Sequence, residues 1–241
     1  MENEKYKYEV KTAILVDGGF YRKRVNTLCG KKTPKERADE LFKFCLELLK
    51  DDHENRKLYR IFYYDCPPIT EDRNVFNPIT KKSVNLGRSD ESRWTTEFFQ
   101  ELKHHRKIAL RLGRLSENQL CYNLKYESFK KLINKSITVD DLTETDIKLD
   151  IEQKGVDMRI GIDISSLSIK HQVEQIILIS GDSDFVPAAK QARREGIDFI
   201  LAPMKATIKP DLFEHIDGMI NKAPRGVITK TRTTEVLPIT K

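Results

Sequence analysis

Four aspartates stand where an apolar run reverses or a helix opens: Asp17 in Val16-Asp17-Gly18-Gly19, Asp157 in Lys154-Gly155-Val156-Asp157, and Asp182 and Asp184 in Gly181-Asp182-Ser183-Asp184-Phe185. Taken singly, each has an ordinary explanation, because aspartate suits a glycine turn and caps helices. Two acids within three positions exceed what one cap needs. Unpaired carboxylates gathered in one crevice repel each other, and a bound divalent cation removes that cost. Oxygen donors without His or Cys indicate Mg²⁺ or Mn²⁺. Such ions hold a water against a phosphodiester and stabilise charge on the leaving oxygen. Asp163, six residues beyond Asp157, lies about 240° further around a helix and reads as a flank residue.

These acids act together only if the fold brings them to one place. Residues 12–16 form an unbroken apolar run, the pattern of a buried parallel strand, and it stops at Asp17. Thr33-Pro34-Lys35-Glu36 is a capping box with Pro at the first helical position. It is followed by Ala38, Leu41, Phe42, Cys45, Leu48 and Leu49 on one helical face. Further strands are predicted at about 58–64, 108–112, 175–180 and 197–201. Helices are predicted near 90–106, after Asp157 with Ile160, Ile164 and Leu167 inward, at Val186–Arg194 before Gly196, and after Pro210. Strands alternating with helices predict an α/β fold whose parallel sheet is covered on both faces. In an open parallel sheet, groups beyond the carboxyl ends of the strands converge where the strand order reverses. Asp17 then faces Asp182 and Asp184 if the first and fourth strands are neighbours.

The composition limits the alternatives. Among 241 residues, 39% are hydrophobic and 33% charged, with only 11 Gly and 9 Pro, which excludes collagen-like, mucin-like and wholly disordered chains. No stretch approaches the roughly 18 apolar residues of a membrane span. The start, MENEKYKYEVK, has no apolar core, so no signal peptide is expected and the expected compartment is the cytoplasm. Cys29, Cys45, Cys66 and Cys121 form no CxxC pair and read as packed, reduced thiols.

The net charge of +6 is unevenly spread. Residues 101–135 carry nine Lys/Arg against three Glu, residues 136–152 six Asp/Glu against one Lys, and the last 21 residues five Lys/Arg against one Glu. Tyr122, Tyr126 and Phe129 alternate with Lys125, Lys130 and Lys131. That mixture serves single-stranded nucleic acid, or it is an amphipathic helix whose aromatics face a core.

Val16-Asp17-Gly18-Gly19, Tyr63-Tyr64-Asp65 before Pro67-Pro68, Arg111-Leu112-Gly113, Lys154-Gly155-Val156-Asp157 and Ile179-Ser180-Gly181-Asp182-Ser183-Asp184-Phe185 occur in that order. The chain thereby resembles the NYN domain, in its LabA-like branch within the PIN-like nuclease superfamily. The resemblance covers residues 11–218, with insertions near 66–107 and 116–152, and leaves 219–241 as a basic tail. It implies a three-layer α/β/α Rossmann-like fold and a Mg²⁺- or Mn²⁺-dependent ribonuclease site. Asp17, Asp157, Asp182 and Asp184 would be the catalytic, metal-ligating acids. Ser180 would orient a carboxylate or water, and Lys154 would contact phosphate. Family members commonly carry Asn three positions after the first Asp, where this chain has Phe20.

The expected function is a metal-dependent ribonuclease, an endonuclease acting on single-stranded or loop RNA. The alternatives are a non-catalytic RNA-binding or scaffolding module and a phosphatase acting on small esters. The expected partner is RNA. DNA stays open as substrate, no membrane is expected, and association into a homo-oligomer is left open.

Overall fold

Along the first strand, β1 (Glu9–Asp17), side chains alternate between two apolar clusters, Ile14 and Val16 entering one and Ala13 and Leu15 the other. The same period of two runs through β2 (Asn55–Asp65), where Ile61 and Tyr63 oppose Phe62 and Tyr64. Strands apolar on both faces need cover on both faces. The computed structural model, which describes residues 8–50, 54–116, 120–151 and 153–225, supplies that cover as helices. The rest of the sheet is β3 (Ile108–Leu112), β4 (Gln175–Ile179), β5 (Asp198–Leu201) and β6 (Gly218–Met219). The order is β6-β5-β4-β1-β2-β3, parallel throughout.

The helices are α1 (Gly18–Cys29), α2 (Pro34–Leu48), α3 (Asp90–His104), α4 (Tyr126–Ile133), α5 (Val156–Ile169), α6 (Val186–Arg194) and α7 (Pro210–Glu214). Tyr21 and Val25 of α1, Leu41 and Phe44 of α2, and Phe98 and Leu102 of α3 pack on one face of the sheet. Ile160 and Ile164 of α5, Ala189 and Ala192 of α6, and Leu212 of α7 pack on the other. The fold is therefore the expected three-layer α/β/α arrangement. The Thr33 capping box forms as predicted, Thr33 Oγ1 accepting from the Glu36 amide and Glu36 accepting from the Thr33 amide.

Three elements differ from the expectation. The turn after Asp17 opens directly into α1, whose glycines are poor helix formers. Asp17 caps it, and burial of Tyr21 and Val25 holds it. Within 66–107, α3 belongs to the core, and the added structure there is a hairpin of Asn74–Asn77 with Lys82–Asn85. The 116–152 segment is also structured: Cys121–Leu124 pairs antiparallel with Ile147–Asp150 around α4. The two hairpins meet, Asn77 Nδ2 donating to Glu144 Oε1 at 3.0 Å. Arg114–Leu115 pairs with Gln153–Lys154, so the chain leaves and returns at one point, and α5 follows β3 in space.

The sheet's last strand, β6, reaches Met219, and the Ile220 amide donates to the Leu201 carbonyl. The basic tail beyond Arg225 and the first seven residues, on which the leader reading rests, lie outside the described residues. Among the described residues, no helix is long and apolar enough to cross a membrane.

Candidate active site

Strand order reverses between β1 and β4, whose register pairs Val16 with Ile179. The carboxyl ends of these neighbours are where a parallel sheet collects functional groups. Asp17 ends β1. Its Oδ1 accepts from the Phe20 amide at 3.0 Å, capping α1, and its Oδ2 accepts from Ser180 Oγ at 3.0 Å. Ser180, fully buried just past β4, also accepts from the Asp182 amide at 3.3 Å. It thus locks the first acid to the loop bearing two others. Asp182 caps the short turn Ser183–Phe185 by accepting from the Asp184 amide at 3.1 Å.

Asp17 and Asp182 therefore have the structural roles that a single aspartate at such a place would have. Asp157 and Asp184 cap nothing. The cap of α5 is Gly155, left-handed at φ 78°, and Asp157 lies in the first turn, where the helix dipole favours an anion. Among the described residues, neither the Asp157 nor the Asp184 carboxylate hydrogen-bonds or pairs with a cation.

The acids sense one another. Burial raises the Asp17 carboxyl above its ordinary range; the Phe20 and Ser180 bonds oppose this, and the negative charges of Asp157 and Asp65 add to it. Partial burial, then Asp182 and Asp184, raise Asp157. Three separate segments thus place Asp157 within electrostatic reach of Asp17, Asp182 and Asp184. Among the described residues, no three His, Cys, Asp or Glu side chains are close enough to cage a metal ion. Mg²⁺ does not require a cage: it keeps several waters and is commonly held through one or two carboxylates. Two carboxylates without partners beside two further acids fit such a hydrated ion.

Asp65 is not among the acids that the sequence singles out, although it ends β2 much as Asp17 ends β1. It is buried and accepts from Arg22 Nη2 at 3.2 Å, Tyr63 OH at 3.1 Å and its neighbour's Cys66 amide at 2.8 Å. Arg22 Nε lies 3.1 Å from its Oδ2, and Arg22 also reaches Glu91. The ion pair sits against the site, since Asp65 is among the charges acting on Asp17. The signal available in the sequence was its position: an acid at a strand end, one helical turn of α1 supplying the cation.

Asp163 stays on the flank, as expected. Its Oδ2 accepts from Tyr64 OH at 2.8 Å and Arg111 Nε at 3.1 Å, tying α5 to β2 and β3. Lys154 is half-buried in the two-residue strand that pairs with Arg114. Gly113 must be glycine there, because a Cβ would lie 2.6 Å from the Lys154 carbonyl oxygen. Phe20 supplies its amide to Asp17 and lays its ring on Gly181, where a Cβ would come within 2.9 Å of the ring. Of the aromatic–basic segment, Tyr126 and Phe129 are exposed on α4, with Lys130 over the Tyr126 ring at 4.9 Å. On α4 these two aromatics therefore face solvent and not a core, whereas Tyr122, in the strand Cys121–Leu124, is half-buried.

Gly18 is a further fixed point. A Cβ there would meet the Tyr64 carbonyl at 2.5 Å and Tyr63 Cζ and OH at 2.7 Å. Gly18→Ala should therefore destabilise the fold by about 1–3 kcal/mol and lower any activity of the adjacent Asp17. Thermal unfolding of the variant checks the first part; an unchanged Tm would mean that α1 tolerates the shift.

A search of curated proteins finds no match. Among solved structures, the crystal structure of a protein of unknown function from Vibrio parahaemolyticus is similar at TM-score 0.46 and 13% identity, over 91% of this chain and 95% of that one. The family model for the NYN domain matches residues 93–221, more than half of the chain. The match takes in Lys154, Asp157, Ser180, Asp182 and Asp184 and leaves Asp17 outside. NYN domains are part of the PIN-like nuclease superfamily, and this chain belongs to the NYN domain family.

Proposed function

We propose that this chain is a metal-dependent ribonuclease of the LabA-like branch, an endonuclease hydrolysing phosphodiester bonds in single-stranded or loop RNA. The observation that carries the reading is the pair of carboxylates, Asp157 and Asp184, that accept no hydrogen bond and pair with no cation among the described residues, beside Asp17 and Asp182 at the switch point between β1 and β4. Asp157 and Asp184 would hold a Mg²⁺ or Mn²⁺ ion, with Asp17 and Asp182 completing its surroundings. Bound there, the ion would supply an activated water and neutralise charge on the leaving oxygen.

The chain's own residues do the positioning. Ser180 fixes the Asp17 carboxylate through Oγ, and the Phe20 amide holds its other oxygen. Arg22 neutralises Asp65 and limits the negative charge acting on Asp17. Lys154, next to the turn that launches α5, is assigned to the substrate phosphate.

The absence of a three-acid cluster among the described residues favours the second reading, a non-catalytic RNA-binding module. One experiment separates the two: incubation of labelled single-stranded RNA with Mn²⁺, Mg²⁺ or EDTA, paired with thermal unfolding in the same buffers. The nuclease reading expects cleavage that stops in EDTA. It also expects a Tm that rises with metal, by an amount equivalent to about 2.7 kcal/mol at a hundredfold excess over Kd. RNA retained in a gel shift, without cleavage or metal-dependent Tm, would establish the binding module instead.

A further inference from the structure

Gly19, Arg22, Lys23 and Asn26 follow at helical spacing along one face of α1, and that face walls an open cleft of about 420 Å³. The other walls are the α1–α2 loop, with Lys31 and Lys32, and the start of α3, with Trp94. The cleft begins beside the acids, since a Cβ added to Gly19 would lie 3.5 Å from Asp17 Oδ1.

Much of its charge is already committed. Arg22 is held by Asp65 and Glu91, Lys32 by Glu40, and Asp90 by Arg93. The Lys23 and Lys31 side chains make no hydrogen bond or ion pair among the described residues, which leaves two ammonium groups for an external anion. Trp94 is fixed on two sides: Nε1 donates to the Lys32 carbonyl at 2.9 Å, and the ring stacks on Phe98 at 5.0 Å with planes 20° apart. A rigid indole loses little freedom when something stacks on it. Cations for phosphates, together with an aromatic platform for a base, are the requirements of a single strand.

We propose that this cleft binds a single-stranded nucleic-acid segment as it leaves the carboxylates, with Lys23 and Lys31 on its phosphates and Trp94 under one of its bases. The proposal rests on the nuclease reading for the origin of the strand at Asp17. None of these three residues belongs to the aromatic–basic segment of 101–135.

Trp94 is the single tryptophan of the chain, so its emission reports on this cleft alone. The full chain carrying Asp184→Asn, in EDTA, is titrated with an eight-nucleotide oligouridine. Trp94 emission is followed, and anisotropy of the labelled oligomer gives Kd. The expected result is quenching that tracks binding. Lys23→Glu/Lys31→Glu should weaken binding at least tenfold, and it should flatten the slope of log K against log salt by about 1.4, two single-strand phosphate contacts. The two ammonium groups have no partners among the described residues, so the variant's Tm should match its parent. Binding with unchanged Trp94 emission, or an unchanged Kd in the double variant, would overturn the cleft while leaving RNA cleavage by the wild type as evidence for the nuclease. Equal quenching by uridine monophosphate at the same concentration would also overturn it, by making the site a mononucleotide pocket. Failure of the oligomer to bind, with no cleavage by wild type, would overturn both.

Discussion

On the proposed ribonuclease function, Asp184→Asn should lower kcat/KM for metal-dependent cleavage of single-stranded RNA by about three orders of magnitude and leave the fold intact. The size follows from the several kcal/mol that a metal's charge contributes to a phosphodiester transition state, each 1.36 kcal/mol being tenfold in rate. Intactness follows from the geometry. Asp184 is exposed, and its carboxylate caps nothing and pairs with no cation among the described residues, so the substitution is an ordinary surface change. Such changes stay within about 0.5 kcal/mol, or about 1–2 °C in a chain of this length. Asp182 would be a poorer probe, because its carboxylate also caps the Ser183–Phe185 turn. Steady-state cleavage in Mn²⁺, beside the two melting curves, is the measurement. A variant that cleaves like wild type would remove Asp184 from the chemistry. One that loses both activity and several degrees would show the acid to be structural.

Arg22→Met is the second large effect, and it acts on stability. Asp65 is fully buried and Arg22 is its only cationic partner among the described residues. Removing one member of a buried pair leaves an uncompensated charge and costs about 3–5 kcal/mol, a fall in Tm of about 10 °C at about 2–4 °C per kcal/mol. The loss should depend on pH, with a definite sign. Burial already raises the Asp65 carboxyl above its ordinary 3.8, and Arg22 is the main influence holding it down; without Arg22 it rises further. A carboxyl whose folded-state pKa is raised destabilises the fold increasingly as pH climbs from 3.8 through that raised value. The deficit of Arg22→Met against wild type should therefore be small near pH 4 and largest at neutrality. Adding Asp65→Asn should recover much of it, the coupling expected of contacting residues. A Tm that does not move at neutral pH would mean that Asp65 is already protonated with Arg22 present.

Much of the architecture was legible because apolar periodicity is a local property. β3 and α6 lie at their predicted residues, 108–112 and Val186–Arg194, and α2 is announced by its capping box. Elements held by packing alone were not legible. α1 opens on two glycines and is amphipathic only weakly, so its helical state depends on a cap and on the sheet beneath Tyr21 and Val25. β6 is two residues long and exists because the Ile200–Leu201 edge is there to pair with. The hairpins at 74–85 and 121–150 have short alternations that become strands only when paired.

The candidate site divides in the same way. Residue types and spacing determined that two acids follow β4, that Asp157 opens α5 and that Asp17 ends β1, because each is written in a local turn or helix start. The tertiary structure decided which acids have structural work, which are left without partners, and that a buried Asp65–Arg22 pair stands beside them. Those outcomes depend on the neighbour relation of β1 and β4 and on how deeply each carboxylate is removed from water. Adjacency and burial arise from contacts between residues far apart in the chain, such as Ser180 with Asp17 and Arg22 with Asp65, and no local pattern encodes them.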